Sequence, residues 1–307
     1  MSDSMIFDAV DTFPNEDRRR QFDALVGLDD KKDQIVKEAS IILDHSLLEK
    51  WSKEKHGKVI GAVQYFHNRP PLFIFEGDVG TGKTTLAESF GAEVAAREKM
   101  EIKLFRLSLK TRGTGRVGQI SGLITESFDD FMGQIGTSPK GKRHHTCGIL
   151  LIDEADALAQ SRELDQMHHE DRTGVNALIQ GIDRIANGNV PALVVMCTNR
   201  VGAIDPAVQR RAAGIVTFTR PNEEQRLSII EKGLTGTKIA QKDLQALAKA
   251  MGPTDERKYG YTFSDLTQRF LPGIVLDAYP DKAITIESAM AFLQKTLPTK
   301  PFASECA

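Results

Sequence analysis

The chain has 307 residues, which allows one large domain or two small ones with a sizeable core. Hydrophobic residues make up 40%, charged residues 27%, and the net charge is −2, which excludes a disordered chain and a surface that attracts nucleic acid all over. No apolar run approaches the ~18 residues of a membrane span, and the N-terminus lacks a basic segment followed by an apolar core, so no membrane partner or secretory signal is expected.

Residues 1–22 are polar, with mixed charge, and read as a linker or arm. Phe22 to Leu28 leads into a helical pattern running to about Lys55, in which Ile35, Ala39, Ile42 and Leu43 recur at helical spacing. Val59 to Tyr65 reads as a short helix, ended by Asn68-Arg69-Pro70-Pro71. The apolar run Leu72–Phe75 is a strand, followed by a glycine-rich loop and a helix over Leu86–Ala92. Strands at Ile102–Leu107, Gly148–Ile152, Ala192–Cys197 and Ile215–Phe218 alternate with helices at Val117–Met132 and about Asp171–Ala186. That alternation predicts an α/β fold with a five-stranded parallel sheet flanked by helices. Past Arg220-Pro221 the texture turns helical: Glu223–Leu234, Lys242–Met251, Ser264–Ala278 and Glu287–Thr296. Asn222 with Gln225 three residues on marks the first helix start. The expected division is an arm over 1–22, a large domain over 23–219 and a small helical lid over 220–307.

The loop after the first strand is Gly77-Asp78-Val79-Gly80-Thr81-Gly82-Lys83-Thr84, the G-x-x-x-x-G-K-T phosphate loop in strand–loop–helix context. Its glycines let backbone N–H groups wrap around phosphates at a helix N-terminus. Lys83 can reach the β and γ phosphates of ATP, and the Thr84 hydroxyl can ligate Mg²⁺. Thr85 completes the nucleotide-binding run. The buried strand Ile149–Ile152 ends in Asp153-Glu154, which suits a metal-supporting Asp153 and a water-activating Glu154. Asn199 ends the next strand, where it can orient the attacking water, touch the γ-phosphate, or simply form a turn. Arg210-Arg211 closes a short helix; such a pair is either solvated or, in a nucleotidase with this order of parts, reaches a neighbouring subunit's γ-phosphate. Cys147, Cys197 and Cys306 are scattered and odd in number, which argues against a disulfide frame or zinc site and fits a reducing cytoplasm. The pairs His144-His145 and His168-His169 have no cysteines at ligand spacing and read as solvated loop positions.

Gly77 to Thr84, Asp153-Glu154, Asn199 and Arg210-Arg211, followed by a helical lid, resemble an AAA+ ATPase over about residues 22–298. The resemblance implies a Walker A element at Gly77–Thr84, a Walker B element at Asp153-Glu154 and a sensor-1 Asn199. It also implies an arginine finger at Arg210 or Arg211, with the Arg-Ala pair favouring Arg211. A homohexameric ring is implied, with Val26-Gly27 packing near the adenine. Asp153-Glu154-Ala155-Asp156 spells the DEAD tetrapeptide, but a helicase of that name needs a second nucleotidase-like domain, and the residues that follow hold instead a sensor-like Asn199, Arg210-Arg211 and a helical lid.

Within AAA+ proteins, Val175-Asn176-Ala177 with Gln180 and Ile182-Asp183 is similar to the pachytene-checkpoint ATPases, which remodel HORMA-domain proteins. Thr114-Gly115-Arg116-Val117-Gly118 resembles their first pore loop, making Arg116, Val117 and Gly118 the expected substrate grip. The bacterial, anti-phage branch of that family accompanies HORMA proteins and cyclic-oligonucleotide nucleotidyltransferases. This chain departs from the pattern in having no aromatic residue from Arg106 to Leu123, and Ser264 where the family places a sensor-2 arginine. The resemblance thus implies an ATP-hydrolysing remodeller of a HORMA-domain partner. The alternative is a DNA-associated AAA+ ATPase, a transposition helper or clamp-loader-like switch. It would use Lys110, Arg112 and Arg116 with Lys140, Lys142 and Arg143 against phosphates, although such loops are more often merely solvated.

Overall fold

The computed structural model describes residues 6–67, 69–108, 119–137, 146–155, 169–200 and 204–301. The two basic loops, with Lys110, Arg112, Thr114 to Gly118, Lys140, Lys142, Arg143, His144 and His145, lie outside the described residues, as do Asp156, His168 and Cys306.

The chain forms two compact units. The first is built on a sheet of six strands: β1 (Ala9–Phe13), β2 (Leu72–Gly77), β3 (Glu101–Ser108), β4 (Thr146–Asp153), β5 (Ala192–Thr198) and β6 (Gly214–Phe218). The spatial order is β1-β3-β4-β5-β2-β6. β3 with β4, β4 with β5, and β2 with β5 pair in parallel. β4 and β5 are apolar over nearly their whole length because both faces are covered, as parallel strands require.

The sheet has six strands where five were expected. The addition is β1, which pairs antiparallel with β3 from Ala9↔Arg106 to Phe13↔Ile102. Within the segment 1–22, read from the sequence as a linker or arm, residues 9–13 form this strand. Phe13 is fully buried on the sheet while Ala9, Val10 and Thr12 are exposed; Ala9 and Phe13 share a face with Asp11 and Val10 lies on the other, so no apolar alternation marks this edge strand. It is followed by α1 (Glu16–Ala24), whose Arg18 bridges Asp11 of β1 and Glu88 at 2.6 and 2.8 Å.

The helix expected to run to about Lys55 is two helices, α2 (Asp29–Leu43) and α3 (Ser46–His56). The break is local chemistry: Asp44 Oδ1 accepts from the Ser46 N–H at 3.0 Å and the Ser46 hydroxyl at 2.6 Å, offering the backbone an alternative to the helix ladder. α4 (Ala62–His67), α5 (Lys83–Glu98), α6 (Gln119–Ile135), α7 (His169–Asn187) and α8 (Pro206–Gln209) complete this unit. α6 and α7 meet where Gly181 faces Phe128 closely enough that a Cβ would sit 2.5 Å from the ring.

The second unit holds Leu25–Asp29, Gly77–Lys83 and the chain from Phe218 onward. Its helices are α9 (Glu223–Gly233), α10 (Gln241–Ala250), α11 (Leu271–Ala278) and α12 (Ile286–Lys295). Ile230, Leu247, Met251, Tyr261, Leu266, Phe270 and Ala289 form its core. Asn222 and Gln225 make a reciprocal capping box at the start of α9, as the sequence predicts. The single helix expected over Ser264–Ala278 begins instead with a π-helical turn, Asp265–Phe270, where the Leu271 N–H reaches back to the Leu266 carbonyl. Pro272 explains the wider turn: it has no N–H, and its ring would press on a carbonyl one α-turn back. Among the described residues no helix is long and apolar enough to cross a membrane.

Candidate nucleotide site

Buried strand β2 delivers the chain into the loop from Gly77. Gly77 has φ 144°, and a Cβ there would lie 2.0 Å from the Phe218 carbonyl oxygen, so only glycine fits. Asp78 organises the turn. Its carbonyl accepts from the Lys83 ammonium and the Thr81 hydroxyl, both at 2.7 Å, and Lys83 donates to Gly77 as well at 2.8 Å. Asp78 Oδ1 accepts from the Val79 N–H at 2.8 Å. Thr81 and Lys83 are buried, while Val79 is exposed. The loop is thus shaped by its own polar groups before the helix begins.

The same unit brings Ser264, Leu25 and Leu28 to this loop. The Gly80 carbonyl accepts from the Ser264 N–H at 3.1 Å. Leu28 and Leu25 lie against Gly82. Gly27, at φ 73°, offers its carbonyl to the Gln225 side chain at 2.6 Å, and Val26 packs on the apolar core of this unit. Ser264 turns its hydroxyl to Gln268, and Arg269 bonds Asp265 and Thr299.

In the first unit, α5 carries Thr84 and the exposed Thr85 on its first turn. Thr84 Oγ1 donates to Asp153 Oδ1 at 3.3 Å. Asp153 ends β4, and the same oxygen accepts from the Glu154 N–H at 2.9 Å. Glu154 sits at φ 54°, in the left-handed region where a non-glycine residue is strained. The sheet register pairs Ile152 with Met196 and Glu76 with Thr198, so Asp153 and Asn199 emerge at the same end of neighbouring parallel strands. That end is where α/β sheets place their ligands. Two hard oxygen ligands, one alcohol and one carboxylate, fit a hard divalent cation such as Mg²⁺, and the glycine-shaped loop with its lysine fits polyphosphate.

The two arginines differ. Arg210 caps α8 and is exposed, and its side chain makes no hydrogen bond or ion pair among the described residues. Arg211 is held by Asp183 of α7 through paired contacts of 2.7 and 3.0 Å, and donates to the Ala207 carbonyl. The hydrogen bond from Arg211 to Asp183 raises the guanidinium above its ordinary range. Sequence reasoning passed over Asp183 as an arginine partner and over Arg220, which grips Asp78. A carboxylate inside a phosphate loop was the signal that a compensating cation had to exist nearby.

The model of the AAA family, ATPases associated with various cellular activities, matches residues 73–220. CD-NTase-associated protein 6 of Escherichia coli (strain MS 115-1) is 46% identical over 299 residues, covering 97% of this chain and 96% of that protein. Among solved structures, the E. coli MS115-1 HORMA:CdnC:Trip13 complex contains a chain that matches with a TM-score of 0.89 at 46% identity, over 97% of each chain. Rhizobiales Trip13 matches with a TM-score of 0.75 at 41% identity, over 96% of this chain and 100% of that one. On identity of this extent, and with this loop and strand-end chemistry, the chain belongs to the CD-NTase-associated protein 6 family of AAA ATPases, which use ATP with a divalent metal ion.

Proposed function

We propose that this ATPase is a cytoplasmic remodeller that partly unfolds a HORMA-domain partner, or strips it from a complex with a nucleotidyltransferase, and so regulates an anti-phage signalling system. The observation that carries this reading is the likeness, along nearly the whole chain, to a chain of the HORMA:CdnC:Trip13 complex and to Rhizobiales Trip13. Residues 23–219 act as the nucleotide-binding domain and 220–307 as the lid. Lys83 and the amides of Gly77–Thr84 hold the phosphates, Thr84 and Asp153 hold Mg²⁺, and Val26-Gly27 lies by the adenine. The ion held by Thr84 and Asp153 would, when bound, supply neutralisation of the charge that develops on the phosphates. Glu154 takes the proton of the attacking water, Asn199 orients that water, and Arg210 or Arg211 serves the site of the next protomer in a homohexamer. Arg116, Val117 and Gly118 grip the partner.

The test is a pull-down from the native host with the Glu154→Gln variant and ATP. That variant should bind ATP with turnover lowered by about 10²–10⁴-fold and so hold its substrate. Recovery of a HORMA-domain protein supports the reading. Recovery of DNA, with no protein above background, overturns it in favour of the DNA-associated alternative.

A further inference from the structure

We propose that Arg220 is a positioning residue for ATP, which neutralises Asp78 inside the phosphate loop and ties that loop to the segment Tyr259–Ser264. The proposal rests on reading Gly77–Thr84 as the loop that holds the phosphates.

A carboxylate at the second place of a phosphate loop is an electrostatic problem. The ligand is a polyanion, and a fixed negative charge beside it repels it unless a cation stands closer. Here the cation is present. Asp78 Oδ2 accepts from Arg220 Nε at 2.7 Å and from Nη2 at 2.5 Å. Both side chains are largely withdrawn from solvent, at 13% and 19% exposure, so water screens the pair poorly. Asp78's other oxygen is engaged by the Val79 N–H, and its carbonyl by Lys83 and Thr81. The residue that Arg220 grips therefore also sets the direction of Lys83.

Arg220 is itself held in place. Nη1 donates to the Gly260 carbonyl at 2.6 Å, and the Tyr259 ring lies 5.0 Å from the guanidinium carbon. A Cβ on Gly260 would come within 2.9 Å of the Met251 carbonyl oxygen, so the segment passes Met251 with no room for a side chain. Four residues on, the Ser264 N–H reaches the Gly80 carbonyl. The phosphate loop is thus fastened to one lid segment at two points, Asp78 through Arg220 and Gly80 directly. Arginine suits this task better than lysine, because its planar fork serves the carboxylate and the carbonyl together.

The test compares binding of a fluorescent ATP analogue, and the KM and kcat of ATP hydrolysis, for the full-length wild type, Arg220→Ala and the double variant Asp78→Asn/Arg220→Ala. Arg220→Ala is expected to weaken binding about tenfold through the unmasked Asp78 charge, and the loss should shrink as salt rises from low to high concentration. The double variant, which removes the stranded carboxylate, should recover most of that loss. Should the alanine variant not fold, as judged by circular dichroism, Arg220→Gln carries the same charge test. A double variant as weak as Arg220→Ala, or Arg220→Ala binding as tightly as the wild type, overturns the proposal. A wild type that binds no nucleotide would instead overturn the phosphate-loop reading beneath it.

Discussion

Glu154 adopts a backbone conformation that costs free energy for any residue with a Cβ. The Asp153 carboxylate, by taking its N–H, helps hold it there. Glutamine has the same shape and backbone demands but cannot accept a proton, so Glu154→Gln should lower ATP turnover by about 10²–10⁴-fold with analogue binding retained. Phosphate release and analogue titration measure the two separately, and wild-type turnover would reassign the base. Cys147 gives a different prediction. Burial, and then the charge of Asp44, push its thiol up to about 12. Only the thiolate attacks disulfide reagents, so Cys147 should stay unmodified in the native protein at pH 8 and react on unfolding, as mass spectrometry of labelled peptides would show. The residues of the phosphate loop and the Asp153-Glu154 turn were legible because each motif is local in sequence. Arg220 was not, because its partner Asp78 lies 142 residues away and nothing near Arg220 announces it.

At the scale of elements, the π-helical turn and the C-terminal segment depend on one carboxylate. Asp265 is almost wholly buried. Burial alone would raise its pKa, but hydrogen bonds from Thr262 and Thr299 outweigh this and hold it below the usual carboxylate range. Its folded pKa is thus below its unfolded one. The stabilisation is present above the unfolded pKa and is lost as pH falls through the folded one. Asp265→Ala should cost about 1–3 kcal/mol in urea unfolding at pH 7, and the gap to the wild type should narrow in acid. Gly181→Ala sets propensity against packing. Alanine favours helix by about 1 kcal/mol, yet its methyl would meet the Phe128 ring, and overpacking of about 1–3 kcal/mol should leave the variant less stable in thermal melts. Helix boundaries were legible where apolar spacing ruled. They failed at Asp44 and Pro272, where one side chain re-routes the backbone against the periodic pattern.

At the scale of the whole molecule, the proposed ring, in which one protomer would complete its neighbour's site, makes a specific demand. Glu154→Gln and an arginine-finger variant, each inactive alone, should regain ATPase activity when mixed, since some junctions then pair an intact Glu154 with an intact arginine. Arg210→Ala and Arg211→Ala tested separately identify the finger, whose removal costs on the order of 10³–10⁵ in rate. If neither mixture gains activity, the finger does not act between protomers. Arg211→Ala should also lower the melting temperature, because it abandons Asp183, whereas Arg210→Ala should not. The alternation of strands and helices made the parallel sheet legible, but β1 escaped because its apolar Ala9 and Val10 are exposed and Phe13 alone anchors it deeply.

That short strand has a consequence for self-association. β3 runs for eight residues, and β1 occupies the row of backbone donors and acceptors on its outer side. A chain begun at Glu16 would leave that row open as a template for a strand from another molecule. β1, pinned through Asp11 and Arg18, therefore acts as a guard against aggregation as well as a part of the fold.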